Sequence, residues 1–279
     1  MLEYLAPYEF YPEVVAFCAL AALAYTRGLR GRREAGLPVA VASAVAFYVG
    51  LAITYAAMHT YIDYLAQYMF WVHRAQHLGL HHLAPFLMAL GRPHEVLPYA
   101  LSPGPRARAG RVLAHPAVRW PYRIVQQPAI ASFLFVGIIF FWMMPELHFD
   151  AMLSQDLYRV MNASVFLEGL LFWWLIVDPR GRLDGGLGFG TRILMLWAVM
   201  VPQIALGAYV GLSNAELYDV YSVCGRAWPI SPMTDQRLGG LITWIPAAMM
   251  SVIGALVVFR LWLRESVRDA PPPAAAVEG

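Results

Sequence analysis

The chain has 279 residues, of which 59% are apolar and only 14% are charged, and its formal net charge is +2. A soluble domain of this length does not need so much apolar surface, so we predict an integral membrane protein. The small net charge argues against a nucleic-acid partner. The sequence contains no phosphate-binding loop motif, so a nucleotide ligand is not expected. All 20 basic residues are arginine. A retinal protein is therefore excluded, because its Schiff base requires a lysine.

Seven apolar segments are each long enough to cross a bilayer, which takes about 20 residues. They are residues 12–29, 37–58, 67–90, 127–146, 158–178, 191–212 and 238–263. We predict an all-α, polytopic membrane helix bundle with about seven transmembrane helices, which form a single domain over residues 1–269. The N-terminus lacks the positive region of a cleavable signal, so the first span is expected to stay in the mature chain. Residues 270–279 are Pro- and Ala-rich and are predicted to be disordered.

The distribution of charge predicts the orientation of these spans. Arginines gather after the first, third and fifth spans and at the end of the chain, as at Arg27, Arg92, Arg180 and Arg260, whereas acidic residues gather on the other side. We therefore predict a multi-pass protein of the bacterial inner (plasma) membrane with its N-terminus outside, in the periplasm, and its C-terminus in the cytoplasm. Membrane lipids are expected partners of the basic connection after the third span.

Histidines recur at intervals of four along the third predicted span. His73, His77 and His81 therefore lie on one face of a helix. A polar group at this depth persists only where something compensates its loss of water, and imidazole is the commonest metal-ligating side chain. The spacing indicates a metal or cofactor site. Hydrogen bonding across helices is the alternative explanation for any one of these histidines.

Two further polar residues of this span are expected to find polar partners. His82 points about half a turn away from His73, and we expect it either to cap a helix or to pair with Glu168 of the fifth span. Arg74 is expected to pair with Glu168 or with Asp63.

The sixth and seventh spans offer thioethers that could complete a metal site. The methionines concerned are Met200, Met249 and Met250. Soft thioether ligands select Cu(I), and imidazole also accepts copper. We therefore predict a copper site formed by His73, His77 and His81 with one of these methionines, open to the periplasm. A lone methionine in a membrane helix is more often packing material.

A second set of residues is expected to line the outer entrance or to support the ligands. It comprises His59, Asp63, Gln76, Glu168, Cys224 and Asp235. His59 and Asp63 are four residues apart, which would bring them to one face of a helical turn. Cys224 could form a disulfide with Cys18 on the oxidising side of the membrane, and only geometry decides this.

Several blocks of the sequence are similar to one known family. They are QHLGLHHLAPFLMALGRP at residues 76–93, EGLLFWW at 168–174, CGR at 224–226, DQ at 235–236 and GGLITWIP at 239–246. The chain resembles the CtaG family of membrane-embedded, caa-type cytochrome c oxidase assembly factors. The matched positions of the most specific block are Gln76, His77, Pro85, Gly91 and Pro93. Many relatives place a Glu-His pair early in the fifth span, where this chain has Met161 and Asn162.

The resemblance implies a protein without enzymatic turnover that helps to mature a haem-copper oxidase by handling copper. Its partners would be an oxidase subunit or a periplasmic copper donor. Two other functions stay open from the residues alone. One is a copper or cation transporter, because Glu168 lies in the middle of a span. The other is a haem-binding membrane oxidoreductase, although the intramembrane histidines all belong to the third span and none lies opposite them.

Overall fold

The computed structural model describes residues 9–180 and 186–268, and all regular structure within these two ranges is helical. The α-helices are α1 (Pro12–Glu34), α2 (Val41–His59), α3 (Tyr61–Tyr68), α4 (Phe70–Leu78), α5 (Ala84–Leu90), α6 (Pro93–Val96), α7 (Pro103–Ala114), α8 (Pro116–Val125), α9 (Pro128–Trp142), α10 (Pro145–Leu153), α11 (Gln155–Val177), α12 (Phe189–Leu212), α13 (Val220–Val223) and α14 (Pro232–Arg268). A π-helical turn (Gly79–Leu83) joins α4 to α5, and a 3₁₀ turn (Leu97–Ala100) follows α6. The predicted disordered tail, residues 270–279, lies outside the described residues.

Five of the described helices, α1, α2, α11, α12 and α14, are long and apolar enough to cross a membrane. The pair α8 and α9 adds a sixth if it forms one span, although it is bent by 70°. The bend has a local cause, because Pro128 restricts the preceding Gln127 to an extended conformation (φ −68°, ψ 134°). The fourth predicted span, 127–146, is therefore too long: α9 has 15 residues, and Pro145 begins a separate helix. The number of seven spans and their orientation stay predictions.

The third predicted span, 67–90, differs from an unbroken α-helix in two places. Met69 is extended (φ −142°, ψ 118°), so α3 ends at Tyr68 and α4 begins at Phe70. Further along, Pro85 has no backbone N–H, and the carbonyl of His81 loses its regular α-helical partner. The chain widens there into the π-helical turn, in which the N–H of Ala84 bonds the carbonyl of Gly79.

Close helix crossings hold this broken segment and the last two long helices in place. Gly169 of α11 lies against the backbone of His81, where a β-carbon would collide with the His81 carbonyl. Gly240 of α14 similarly faces the backbone of Gly211 in α12. Small residues at crossings allow such approach in membrane bundles.

The buried core and the outer surface are both apolar, as expected of a protein in lipid. One buried cluster includes Tyr25, Phe47 and Met161, and another includes Phe135 and Trp173. Large apolar side chains also cover the outside of the long helices, among them Leu20, Val41, Leu194, Val252 and Leu256. A soluble monomer rarely exposes so much apolar surface, so the helix composition and this surface together describe a membrane protein.

Candidate functional site

The histidines of the third predicted span face the interior of the bundle. His73, His77, His81 and His82 are each at most 3% exposed. Their rings therefore do not face acyl chains, and each ring nitrogen has to be accounted for by a protein partner or a ligand.

His73, His77 and His148 form a group of three rings, which we call the outer group because the sequence predicts it to lie towards the periplasm. The ring centroid of His73 is 4.2 Å from that of His77 and 5.0 Å from that of His148 in α10. Neither ring nitrogen of His73 has a hydrogen-bond partner among the described residues. The backbone of Ala66 approaches the ring without meeting hydrogen-bond geometry. A neutral imidazole carries one N–H donor and one lone pair, and leaving both unmet in a buried place costs free energy.

The partners of His77 define which of its nitrogens carries the proton. Nη1 of Arg74 is 3.3 Å from Nδ1, and the guanidinium can only donate, so Nδ1 accepts. Nε2 lies 3.0 Å from Oδ1 of Asn162 and therefore donates. His77 is thus a neutral ring with its proton on Nε2. The lone pair on Nδ1 points at the guanidinium of Arg74.

His148 completes the outer group and is a residue that the sequence did not single out as a site. Its Nδ1 lies 3.1 Å from the carbonyl of Trp142, so this nitrogen donates, and Nε2 then accepts from the hydroxyl of Tyr221 at 3.0 Å. Burial disfavours the charged ring and lowers the pKa of His148 to about 3. The sequence placed this histidine between two acids, and only the fold brings it against His73.

His81 and His82 form an inner group within the π-helical turn. Nε2 of His81 is 3.2 Å from Oε2 of Glu168, and the ring stacks on Phe135 at 3.9 Å. Nε2 of His82 is 3.0 Å from Oε1 of Gln203, to which it donates. The Nδ1 atoms of both rings have no hydrogen-bond partner among the residues that the structure describes. A cavity of about 10 Å³, close to the size of one water molecule, separates the two groups; its polar lining is Arg74, His77, His81, His82, Gln203 and Thr243.

Two pairings predicted from the sequence are wrong. Glu168 pairs with His81 rather than with His82, because the π-helical turn rotates these two side chains relative to a regular helix. Arg74 reaches neither Glu168 nor Asp63. Its Nε instead donates to Oγ1 of Thr243 at 2.9 Å. Within the described ranges Arg74, which is 4% exposed, forms no ion pair.

His59 and Asp63 do not share a helical face. Thr60 is extended between them and caps α3 through its hydroxyl, so the two residues belong to different helices. Nδ1 of His59 accepts the backbone N–H of Tyr11 at 3.2 Å. Asp63 is 2% exposed and joins α3 to two other helices through hydrogen bonds.

Asp63 accepts three side-chain hydrogen bonds, two of them from other helices. Gln76 donates to Oδ1 at 2.7 Å, Tyr158 donates to Oδ1 at 2.8 Å, and Gln67 donates to Oδ2 at 3.1 Å. Burial disfavours the carboxylate more than these bonds favour it, and the pKa of Asp63 is raised to about 6. Gln76, a matched residue of the family block, thus supports Asp63.

The remaining predicted entrance residues separate into a buried and an exposed one. Asp235 is fully buried and accepts the backbone N–H groups at the start of α4. Cys224 is exposed and Cys18 is buried, and both are free thiols. The disulfide that the sequence left open is therefore not formed.

The three methionines predicted as sulfur ligands lie in different environments. Met249 is 57% exposed on the outside of the bundle, Met250 packs in the apolar cluster around Trp173, and Met200 is half-buried. None of them lines the cavity between the histidine groups. No group of three or more His, Cys, Asp or Glu side chains in residues 9–180 and 186–268 is arranged to hold a metal ion.

Comparison with protein families gives one match that extends over most of the chain. The family described as "Cytochrome c oxidase caa3 assembly factor (Caa3_CtaG)" matches residues 23–265. The chain belongs to this family. The matched region contains the whole histidine-bearing segment together with Asn162, Glu168 and Gln203. The resemblance of the sequence blocks to caa3 assembly factors is thereby confirmed.

Curated relatives of this caa3 assembly factor family member come from mycobacteria. The chain is 26% identical over 284 residues to "Uncharacterized protein ML1998" of Mycobacterium leprae, covering 97% of this chain and 41% of that protein. It is 28% identical over 263 residues to "Uncharacterized protein Mb0105" of Mycobacterium bovis, covering 89% of this chain and 38% of that protein. The chain thus spans about two fifths of the length of these relatives. No solved structure matches the chain.

Proposed function

We propose that this caa3 assembly factor handles copper in the bacterial inner membrane and passes it to a haem-copper oxidase, without catalytic turnover of its own. Copper would be cargo, held in transit by the imidazoles of His73 and His77. The observation that carries the proposal is the ring of His73, which is fully buried beside His77 with both nitrogens unpartnered among the described residues. A bound soft cation would compensate that loss of water.

The donor atoms fit a weakly held Cu(I) ion in part. His73 can offer a lone pair from either nitrogen, and imidazole is an accepted copper ligand. His77 can offer Nδ1 only after Arg74 moves away, and the 3.3 Å contact between them is long. Arg74 would retain Thr243 as an acceptor after such a movement. An incomplete set of protein ligands suits a protein that must release its cargo.

Two further imidazoles could act as copper ligands beyond His77. His81 and His82 both offer an unpartnered Nδ1, and both line the small cavity that adjoins His77. On the outer side, α10 places Glu146 and Asp150 on a cavity of about 420 Å³. The same helix places His148 against His73. Carboxylates there would concentrate a cation before it reaches the rings, and a periplasmic copper donor or an oxidase subunit would dock at this end.

The direct test is anaerobic Cu(I) titration of the purified protein against a chromogenic competitor. The variants His73→Gln and His77→Gln are expected to bind Cu(I) at least tenfold more weakly, about 1.4 kcal/mol or more each. The exposed His115→Gln serves as the matched control and is expected to bind as the wild type does. Cells carrying the same variants would be assayed for copper in the mature oxidase.

Other outcomes would point to different functions. Unchanged affinity and stoichiometry in the double variant His73→Gln/His77→Gln would remove the copper proposal. A Soret band in the purified protein would favour a haem-binding oxidoreductase. Metal flux into proteoliposomes that depends on Glu168 would favour a transporter.

A further inference from the structure

A further cavity, of about 340 Å³, lies at the end of the bundle where α1 ends and α2 begins. Its charged lining consists of Arg32, Arg92, Arg260, Arg264 and Glu95. Its apolar wall includes Val39, Leu90, Val257 and Leu261. The cavity is separate from the histidine groups and shares no lining residue with the cavity among them.

The arginines of this cavity are only partly neutralised. Glu95 is the one carboxylate in the lining, and it pairs with Arg32 at 3.2 Å and with Arg92 at 3.4 Å. Arg260 and Arg264 lie one turn apart on α14 and form no ion pair or side-chain hydrogen bond with any described residue. Four arginines and one glutamate leave the lining with a formal charge of +3.

The backbone at Arg92 adds a second, independent observation. Arg92 adopts a left-handed conformation (φ 52°, ψ 48°), and no other non-glycine residue of the described ranges has a positive φ. Glycine would adopt this conformation without strain. Strained backbone of this kind persists where the surrounding structure imposes it and is concentrated at ligand sites. At this position the chain keeps a guanidinium that lines the cavity and contacts Glu95.

We propose that this cavity binds the phosphate-bearing headgroup of an anionic phospholipid. Guanidinium groups recognise phosphate oxygens through charge-assisted, bidentate hydrogen bonds. The cavity lies at the ends of membrane-crossing helices, which is the depth of the headgroups, and basic pockets between such helices bind anionic lipids. The apolar wall provides a surface for the start of an acyl chain, which inorganic phosphate lacks. The inference rests on this cavity alone and is independent of copper.

The test uses the full-length protein in detergent and counts bound lipid by native mass spectrometry. The probes are phosphatidylglycerol, cardiolipin, phosphatidylcholine and inorganic phosphate. The anionic lipids are expected to bind the wild type at least tenfold more tightly than phosphatidylcholine does. Inorganic phosphate at about 20 mM is expected neither to displace them nor to raise the melting temperature.

A pair of matched double variants locates the site. Arg260→Gln/Arg264→Gln removes the two unpaired arginines and is expected to weaken anionic-lipid binding about 10- to 30-fold. Arg27→Gln/Arg30→Gln removes two exposed arginines of α1 that lie outside the cavity and outside the basic connection after the third predicted span, and is expected to change binding by less than twofold. Circular dichroism checks that each variant is helical. Should the first pair fail to fold, Arg264→Gln alone is expected to weaken binding about fivefold.

Three results would overturn the proposal. The first is equal weakening by both double variants, which would mean that any surface arginine contributes. The second is binding of phosphatidylcholine as tight as that of the anionic lipids. The third is stabilisation by inorganic phosphate without lipid binding, which would make the ligand a free anion.

Discussion

The carboxylate of Asp235 accepts the backbone N–H of Trp71 at 2.9 Å, which joins the last helix of the bundle to the first turn of the histidine-bearing helix α4. It also accepts the N–H of Phe70 at 3.1 Å. Because Met69 is extended, these N–H groups have no partner within α4, and a carboxylate there also complements the helix dipole. Asp235 therefore helps to set the position of His73, half a turn further along.

Replacing this carboxylate should be strongly destabilising. Asp235→Ala leaves one buried and one partly buried N–H group unpaired and removes one carboxylate partner of Arg226, whose Nε lies 3.1 Å from Oδ2. We expect a loss of roughly 3–5 kcal/mol, because breaking a buried pair leaves uncompensated polar groups. Chemical unfolding in mixed micelles measures it. The exposed Asp219→Ala is the control, and equal stability of the two variants would show that the cap contributes nothing.

A histidine at position 162 should strengthen copper binding if the proposed function is right. Oδ1 of Asn162 lies 3.0 Å from Nε2 of His77, so a side chain at position 162 reaches the proposed copper ligands. Asn162→His would add an imidazole next to the pair, and we expect Cu(I) affinity to rise at least tenfold, about 1.4 kcal/mol. Competition titration reports the change. Ala163→His, on the exposed face of the same turn, should give no gain, and a gain there as large as at 162 would contradict the prediction.

The contact between Gly169 and His81 should be intolerant of a methyl group. A β-carbon at Gly169 would collide with the His81 carbonyl, so Gly169→Ala must displace the π-helical turn. We expect a loss of about 1–3 kcal/mol, as for other overpacking substitutions. Thermal unfolding in detergent measures it. Gly137→Ala is the matched control on α9, where a β-carbon would meet no atom within 4 Å, and its melting temperature should be unchanged or slightly higher.

Asp63 should make the stability of the protein depend on pH. Its pKa is about 6 in the folded protein and 3.8 ordinarily, so the folded state binds the proton more tightly. The resulting stabilisation is fully present below about pH 4 and is lost as the pH rises through 6, a change of roughly 2–3 kcal/mol. The melting temperature of the wild type should fall relative to that of Asp63→Asn between pH 4 and pH 7. Parallel curves for these two proteins, with exposed Asp156→Asn as a reference, would rule this out.

Local features of the sequence were sufficient for most of the helical architecture. Apolar length placed both ends of α1, α2, α11, α12 and α14 to within six residues, because the hydrophobic thickness of a bilayer imposes a minimum length on each span. The same criterion failed where local backbone chemistry intervened. Pro128 bends the chain at the start of the fourth segment, and the third segment is interrupted at Met69 and before Pro85. Hydropathy detects neither a bend nor an interruption of a helix.

The candidate site could be predicted only in part from the sequence. The spacing of His73 and His77 follows from helical periodicity, and the structure does bring their rings together. The approach of His148 to His73 joins segments 75 residues apart and has no periodic pattern in the sequence. The position of Met249 on the outer surface depends on how α14 packs on α12, which the sequence of α14 alone does not specify.

By itself, the sequence determined that the protein is a helical membrane protein of the caa3 assembly factor family, because hydropathy and motif identity are properties of contiguous residues. Tertiary structure alone decided which hydrogen-bond partner each histidine nitrogen has. His77 is paired with Asn162 and Arg74, His81 with Glu168 and His82 with Gln203. His73 has no hydrogen-bond partner in the described chain. The physical reason is that a hydrogen bond requires two groups within about 3 Å, and those groups lie on different helices.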